Sequence, residues 1–381
     1  MKKAAVSLLV AVSIFSVAQA ADQPKAWQFS RAALSPFWES TTMEGESVLF
    51  VRESNEKTPE ASLLFEPTKI LSVCSSSGET TYVEGQDYVW KPGTKQISLP
   101  AGSRIVSKTA QDLRKQPGSQ QYRLTHRDGN GEIMFGGGHE YHDMQTLVTY
   151  THQPGQWAGP ATKFAGDQLP KTMEKLASKK PITVALLGDS ISTGCNASGW
   201  ANAAPFQPPY QDLLVRNLEE SYGTKVTLKN FAVGGTDTGW GVSNVPKLNE
   251  VHPDLVILAF GMNDAAGRPA KDYRANISTM IDLISKANSD TEFILVATML
   301  GNRDWVTLNQ QLFPQYRDAL AQLCRKGVVL ADMTSMWDEM LKHKQDRDVT
   351  GNGVNHPNDF GHRVYAQVLS ALLIRADSAR Q

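Results

Sequence analysis

The stretch ITVALLGDSISTG, residues 182–194, decides the fold of this chain. Apart from Thr183, its first six residues are apolar, which is typical of a strand buried on both faces of a parallel sheet. The strand runs through Gly188 and Asp189 into Ser190, so a hydroxyl stands just past its end. Because reactive residues of parallel sheets gather outside the carboxyl ends of the strands, we expect a functional site near Ser190.

Four further strand patterns alternate with helical patterns along the second half of the chain. The strand patterns cover residues 226–233, 254–261, 292–300 and 327–333, and the helical patterns cover 209–223, 271–288 and 308–327. This alternation predicts a three-layer α/β/α domain with a parallel sheet, flavodoxin-like in architecture, over residues 181–381.

The first half of the chain has a different pattern. Short apolar runs from about residue 35 to 150 are separated by Gly, Pro, Asn and Asp, with no long helical period. They predict a β-sandwich domain, jelly-roll-like, over residues 21–155. Residues 156–180 are expected to form a linker with one short helix.

The N-terminus has the features of a secretory signal peptide. Lys2 and Lys3 precede an apolar run over residues 4–17, and small residues stand at positions 18–20. A signal peptide over residues 1–20 implies an exported protein, periplasmic or extracellular. No second apolar run reaches spanning length, so no membrane span is expected.

Composition excludes several classes of partner and site. Of the 38 Lys and Arg residues, 36 remain without Lys2 and Lys3, against 39 Asp and Glu. This near balance argues against a nucleic-acid binder. The three cysteines have neither zinc spacing nor a disulfide framework, although one disulfide is possible. His139 and His142 lack a third ligand and are expected to be structural, so neither metal nor organic cofactor is predicted.

Four polar features follow the predicted strands, and each has an ordinary alternative. Ser190 suits a nucleophile or a helix cap, and the glycine-rich turn at 230–241 suits oxyanion binding or a plain turn. Asn263 suits an amide donor or a turn residue. His356 suits a general base or a solvent-facing residue before a helix cap. Their common position at one sheet edge favours a catalytic site.

Together these blocks resemble the SGNH, or GDSL, hydrolase family. The resemblance rests on GDS at Ser190, NFAVGG at 230–235, GMND at 261–264 and NHPN at 355–358, and it covers the chain from about residue 181. It implies that Ser190 is the nucleophile and His356 the general base. It also implies an oxyanion hole formed by the N–H of Ser190, the N–H of Ala232 or Gly234, and the side chain of Asn263.

The chain departs from the family pattern at two positions. Ala232 stands where the family has glycine, with Gly234 as the alternative donor. Gly353 replaces the aspartate of the family's D-x-x-H motif, so another group must accept a hydrogen bond from His356. A carbonyl of the 351–355 loop is the favoured candidate, followed by the carboxylates of Asp348 and Asp332.

The resemblance implies a serine esterase that removes small acyl groups, and the two-domain layout resembles exported bacterial carbohydrate esterases. The predicted substrate is an acetylated poly- or oligosaccharide, and Trp200, Phe206 and Tyr210 are expected to line its site. The alternatives are a short-chain lipase or thioesterase, or a hydrolase relic that binds glycan without chemistry. Since His356 must be neutral to act as base, activity is expected to rise near pH 6 to 7. The oligomeric state is not indicated.

Overall fold

The computed structural model describes residues 27–54 and 57–375. The predicted signal peptide, residues 1–20, lies outside the described residues. Among the helices that are described, none is both long and apolar enough to cross a membrane.

The N-terminal part of the chain is rich in short strands, as predicted. Its elements are α1 (Arg31–Leu34), β1 (Thr42–Val48), β2 (Phe50–Arg52), β3 (Glu60–Ser62), β4 (Pro67–Ser75), β5 (Val89–Trp90), β6 (Gln96–Ser98), β7 (Ser107–Thr109), β8 (Arg114–Lys115), β9 (Glu132–Ile133), α2 (Glu140–Met144) and β10 (Thr146–His152). One sheet has the order β1-β10-β4, a second has the order β5-β6-β3-β2-β7, and β8 pairs with β9.

Two details of the N-terminal prediction are wrong. The segment around His139 and His142 lies within the stretch for which the sequence predicts short strands and no long helix, but it forms helix α2. The predicted strands at 80–85 and 122–127 make only isolated bridges. The segment 122–127 instead contacts a distant part of the chain, where the N–H of Arg127 donates to the carbonyl of Asp304 at 2.7 Å.

The C-terminal part alternates strands and helices. Its elements are α3 (Pro170–Ala177), β11 (Ile182–Gly188), α4 (Tyr210–Tyr222), β12 (Val226–Asn230), α5 (Thr238–Asn249), β13 (Leu255–Ala259), α6 (Ala270–Ala287), β14 (Glu292–Ala297), α7 (Leu312–Ala321), β15 (Val328–Asp332), α8 (Met333–Met340), α9 (Asp346–Val349) and α10 (Asp359–Leu373). The five strands are all parallel, in the order β12-β11-β13-β14-β15. This confirms the predicted three-layer α/β/α fold with a parallel sheet.

The strand register places the candidate residues at one edge of this sheet. Gly188 of β11 pairs with Ala259 of β13, and Leu186 of β11 pairs with Asn230 of β12. The segments that follow these three strands therefore leave the sheet side by side, as expected for parallel strands.

The two parts of the chain share a buried boundary. Every residue of α10 is buried, and the helix contacts α4 and β15 on one side and α1 and β1 on the other. The N-terminal part therefore covers the face of α10 that would otherwise meet water. The predicted linker also docks on the sheet, because Lys171 and Thr172 of α3 donate backbone N–H groups to Glu292 of β14 at 3.1 and 2.8 Å. The domain boundaries at residues 155 and 180 stay predictions.

Candidate active site

The turn after β11 presents Ser190. The Asp189 carboxylate accepts a hydrogen bond from the N–H of Ile191 at 3.0 Å, so it caps the turn. The carbonyl of Ser190 accepts from the Thr193 hydroxyl at 2.8 Å, which fixes the backbone on its other side. Burial raises the pKa of Asp189 to about 7. The Ser190 side chain is thus carried by a rigid turn at the end of a buried strand.

The loop before α10 holds His356 through a single asparagine. Asn352 accepts three backbone N–H groups with its side-chain oxygen, from Val354 and Asn355 at 2.9 Å and from His356 at 3.1 Å. The N–H of Gly351 also donates to the carbonyl of His356 at 2.9 Å. Side-chain capture of successive N–H groups is how Asn stabilises tight turns. The backbone that carries the imidazole is therefore fixed.

The imidazole of His356 connects Ser190 to a residue that sequence reasoning missed. Its Nε2 lies 2.8 Å from Ser190 Oγ, and its Nδ1 lies 2.8 Å from Oδ1 of Asn196. The structure therefore brings serine and histidine together in the geometry expected of a nucleophile and its base. The third member of the constellation is an amide.

The surroundings of Asn196 define which end of its amide faces the histidine. Nδ2 donates to the carbonyls of Gly138 at 2.9 Å and of Gly136 and Gly351 at 3.2 Å. Three acceptors around one end identify it as the NH₂ group, so Oδ1 points at His356. Nδ1 must then carry the proton, which leaves the Nε2 lone pair free to accept from the Ser190 hydroxyl.

None of the three groups predicted to orient His356 contacts its Nδ1. Asp348 accepts from the N–H groups of Leu49 and Gln345, both at 2.8 Å, so its carboxylate joins α9 to the N-terminal part. Asp332 caps α8 through Ser335. The favoured loop carbonyl is also wrong, since the partner of Nδ1 is a side chain. Asn196 gave no motif signal, because it lies 160 residues from His356 in a long loop.

The geometry of Gly353 explains why the family aspartate is absent. Gly353 has φ +77°, and a Cβ at this position would lie 2.7 Å from Cε2 of Tyr141. An aspartate would need a strained left-handed conformation and the space that Tyr141 of α2 fills. The side chain of the family acid therefore has no room here.

The glycine-rich turn after β12 offers free N–H groups, but not at Ala232. The Ala232 N–H donates to the Asn230 side chain at 2.9 Å, so the expectation that it faces an oxyanion is wrong. Gly234 lies against the nucleophile, since a Cβ there would be 3.8 Å from Ser190 Cβ. The N–H groups of Ser190, Gly234 and Gly235 meet no acceptor within the described part of the chain.

Asn263 lies beside the same turn. Its Nδ2 donates to the carbonyl of Thr236 at 2.8 Å, which leaves its second N–H available to a ligand. Two ion pairs support this arrangement: the partly exposed Arg268 contacts the buried Asp264 and the partly exposed Asp237, both at 2.6 Å. Asp264 in turn accepts from the Thr238 hydroxyl at 2.6 Å. This network joins the turn after β12 to the turn after β13.

The histidine is held in its neutral form. Burial, with a smaller contribution from nearby His362, lowers the pKa of His356 to about 3. Burial likewise lowers the pKa of His362 to about 4, and that ring donates to the carbonyl of Cys195 at 3.2 Å. An amide partner supplies no negative charge to favour the imidazolium, so His356 is available as a base at any pH above its lowered pKa.

The remaining sequence candidates separate into exposed and structural residues. Trp200 and Phe206 are 44% and 37% exposed on the loop after Ser190. Tyr210, expected to join them, is buried and hydrogen-bonds Ser192 at 2.8 Å. His139 pairs with Asp143 at the surface, and His142 contacts the carbonyl of Ala204. Structural roles for the two histidines stay a prediction.

Comparisons with known proteins include one curated relative. This relative, an arylesterase of Vibrio mimicus, is 34% identical over 116 residues, which are 30% of this chain and 54% of that protein. The chain thus spans about half the length of the curated relative that it matches.

The solved structures similar to this chain include two esterases. One is a two-domain esterase active on acetylated mannans, crystallised with mannopentaose: 21% identity, TM-score 0.46, 58% of this chain and 56% of that chain. The other is an acetyl xylan esterase: 20% identity, TM-score 0.40, 51% of this chain and 100% of that chain.

The family comparison covers the site itself. The GDSL-like lipase/acylhydrolase family matches residues 186–364, a range that holds Ser190, Asn196, Asn263 and His356. Residues 186–364 of this chain therefore match the GDSL-like lipase/acylhydrolase family.

Proposed function

We propose that this protein is a carboxylic ester hydrolase in which Ser190 attacks the ester carbonyl and His356 acts as general base. The observation that carries the proposal is the 2.8 Å contact between Ser190 Oγ and His356 Nε2, with Nδ1 held by Asn196. Proton transfer to a positioned neutral imidazole activates a serine for acyl transfer. Residues 186–364 match a family of acylhydrolases, which supports the same chemistry.

The reaction proceeds through an acyl-enzyme. As Oγ forms its bond to the carbonyl carbon, His356 takes the hydroxyl proton, and the carbonyl oxygen becomes an oxyanion. The N–H groups of Ser190 and of Gly234 or Gly235, with the Asn263 amide, are the available donors for that charge. His356 then gives its proton to the leaving alcohol. Water repeats the sequence on the acyl-enzyme and releases the acid and the free serine.

The proposed substrate is an acetyl ester on a carbohydrate. Two aromatic side chains, Trp200 and Phe206, are exposed on the loop that also carries Asn196, close in sequence to the reacting groups. Exposed aromatic faces of this kind bind the apolar faces of sugar rings while leaving the polar edge in water. Export, proposed from the pattern of residues 1–20, would suit a polysaccharide substrate outside the cytoplasm.

Hydrolysis of p-nitrophenyl acetate, butyrate and octanoate tests the activity. We expect turnover that is highest on acetate and that falls by about 10³-fold or more in Ser190→Ala and in His356→Ala. Ser243→Ala, an exposed serine on α5, is the control and should keep full activity. Preference for octanoate would favour a lipase. No turnover above that of Ser190→Ala on any ester would refute the enzyme and leave a glycan-binding relic.

Acetate release from glucose pentaacetate tests the carbohydrate assignment. Loss of one aromatic contact, worth about 1 kcal/mol, should raise KM for this sugar ester on the order of fivefold in Trp200→Ala. The KM for p-nitrophenyl acetate should change less. An equal change for both substrates would refute a sugar contact at Trp200.

A further inference from the structure

The amide of Asn196 lies at the boundary between the two parts of the chain. Two of the three carbonyls around its NH₂ group belong to Gly136 and Gly138, which lie between β9 and α2 of the N-terminal part. The third belongs to Gly351, in the loop that carries His356. The side chain is only slightly exposed, so these carbonyls replace water as its acceptors.

The Gly136–Gly138 turn is itself held in place. The N–H of Gly136 donates to the carbonyl of Asn352 at 3.1 Å, and the N–H of Gly138 donates to the Glu140 carboxylate at 2.9 Å. A Cβ on Gly136 would lie 2.8 Å from Cδ2 of Tyr141, so this backbone approaches α2 as closely as glycine allows. The turn and the histidine loop therefore hold each other in register.

We propose that the Gly136–Gly138 turn of the N-terminal part is a positioning element of the catalytic site. Its carbonyls orient the Asn196 amide, and the amide in turn sets the tautomer and the ring orientation of His356. Asn196 is thus a positioning residue, and the N-terminal part completes a site whose reacting groups all lie in the C-terminal part. The kinetic consequences rest on the proposed function, whereas the orientation of the ring does not.

The same geometry makes an amide obligatory at this position. An aspartate could accept from His356 Nδ1, but its second oxygen would face three carbonyl oxygens and find no donor. Burying a carboxylate against acceptors is costly, so the folded state would be destabilised or the acid would take up a proton. An ionised carboxylate next to Nδ1 would also favour the imidazolium and raise the pKa of His356. A carboxylate introduced at Asn196, to serve in place of the missing family aspartate, should therefore impair the enzyme.

Kinetics of Asn196 variants test the positioning role. We expect Asn196→Ala to lower kcat by about tenfold or more with KM changed less than about threefold, because only the base loses its orientation. Asn196→Asp should have a lower Tm than the parent protein, and the acid limb of its kcat should move to higher pH by about one unit or more. Parent-like kcat in Asn196→Ala, or parent-like Tm in Asn196→Asp, would overturn the proposal.

The N-terminal contribution needs its own variants. Gly136→Ala pushes the turn away from Tyr141, and Glu140→Ala releases the N–H of Gly138 without adding bulk, so one remains informative if the other misfolds. Both variants should have a lower kcat than the parent protein, as expected for Asn196→Ala. The control is His139→Ala, an exposed side chain of the same segment that pairs with Asp143. If kcat falls in Asn196→Ala but in neither turn variant, the role of the N-terminal turn is refuted.

A spectroscopic readout separates this inference from the proposed function. With ¹⁵N-histidine labelling and His356→Ala for assignment, the ring nitrogens of the full-length protein report the tautomer directly. We expect His356 to be protonated at Nδ1 in the parent protein and in His139→Ala. It should be a mixture of tautomers in Asn196→Ala and in the turn variants. A pure Nδ1–H tautomer in all of them would overturn the inference even in an active esterase, and a mixture would support it even if no ester were hydrolysed.

Discussion

At the scale of single residues, the site orients His356 with a neutral amide instead of a charged carboxylate. In the family pattern a carboxylate next to the histidine stabilises the imidazolium. Here Asn196 accepts the same hydrogen bond but brings no charge, and burial keeps His356 neutral. Without a carboxylate, the imidazolium that His356 forms in the transition state is less stabilised. The amide leaves the base form populated over a wider range of pH.

The dependence of kcat on pH should reflect the neutral amide partner of His356. Because burial lowers the pKa of His356 to about 3, the neutral form persists as the pH falls through the ordinary range of histidine. We expect kcat on p-nitrophenyl acetate to change less than about twofold between pH 7.5 and pH 5. This differs from the rise near pH 6 to 7 expected from the sequence. A fall of kcat with an inflection near pH 6.5 would contradict the account, and circular dichroism at each pH controls for unfolding.

At the scale of elements, the loop between α9 and α10 determines where His356 points. Its backbone is fixed by Asn352, and Thr350 and Pro357 form a bridge across its base. Asn358 begins α10 by accepting from the N–H of Gly361 at 3.0 Å. A substitution in this loop is therefore expected to be tolerated only where the fixed backbone conformation and the neighbouring residues leave room for the new side chain.

Gly353→Asp tests whether the family acid can be restored in this loop. The left-handed backbone and the contact with Tyr141 should destabilise the protein by about 1–3 kcal/mol, and activity should fall. Thermal unfolding and kcat measured together provide the check, and Gly155→Asp is the control. Gly155 also has positive φ, but a Cβ there meets nothing within 4 Å. An active Gly353→Asp protein as stable as its parent would refute the steric argument.

At the scale of the whole molecule, the two parts are joined by buried polar contacts as well as by the apolar core. Lys344, after α8, contacts Glu46 of β1 at 2.5 Å, and both side chains are fully buried. Glu46 also accepts from Tyr150 at 2.5 Å and from the N–H of Leu64 at 2.9 Å. A positioning role for the N-terminal part requires such a rigid boundary.

Removing one partner of this ion pair should be costly. Lys344→Met leaves the Glu46 carboxylate buried without its cation, and we expect a loss of about 3–5 kcal/mol in the free energy of unfolding. Lys342→Met is the control, because Lys342 is an exposed neighbour paired with Glu339. The measurement is urea unfolding followed by tryptophan fluorescence. A loss as small as that of the control would show that the boundary does not depend on this pair.

The sequence was sufficient to predict the sheet and the contact between Ser190 and His356, because both depend on local pattern. The run 182–187 and its four successors predicted the strands, and the motif blocks located Ser190, Asn263 and His356. Helix α5 gave no clear signal, since it contains Pro246 and two glycines. One of them, Gly241, packs so closely that a Cβ would lie 2.8 Å from Met280 Sδ. Tertiary packing rather than propensity stabilises that helix.

The role of Asn196 could not be predicted from the sequence, because it too depends on tertiary contacts. It adopts φ +64° in a loop, a conformation that asparagine tolerates, so in the sequence it resembles an ordinary turn residue. Its role depends on carbonyls from residues 136–138 and 351, which only the folded chain brings together. The sequence pattern predicts which residues react, but not which residues position them.

The central claim is that His356 activates Ser190 as a nucleophile. Reaction of the full-length protein with diisopropyl fluorophosphate, followed by peptide mass spectrometry, tests it most directly. We predict one adduct, on Ser190, that forms at least about 10²-fold more slowly in His356→Ala and is absent in Ser190→Ala. An adduct on another serine, no adduct at all, or labelling of Ser190 at the same rate without His356 would contradict the claim.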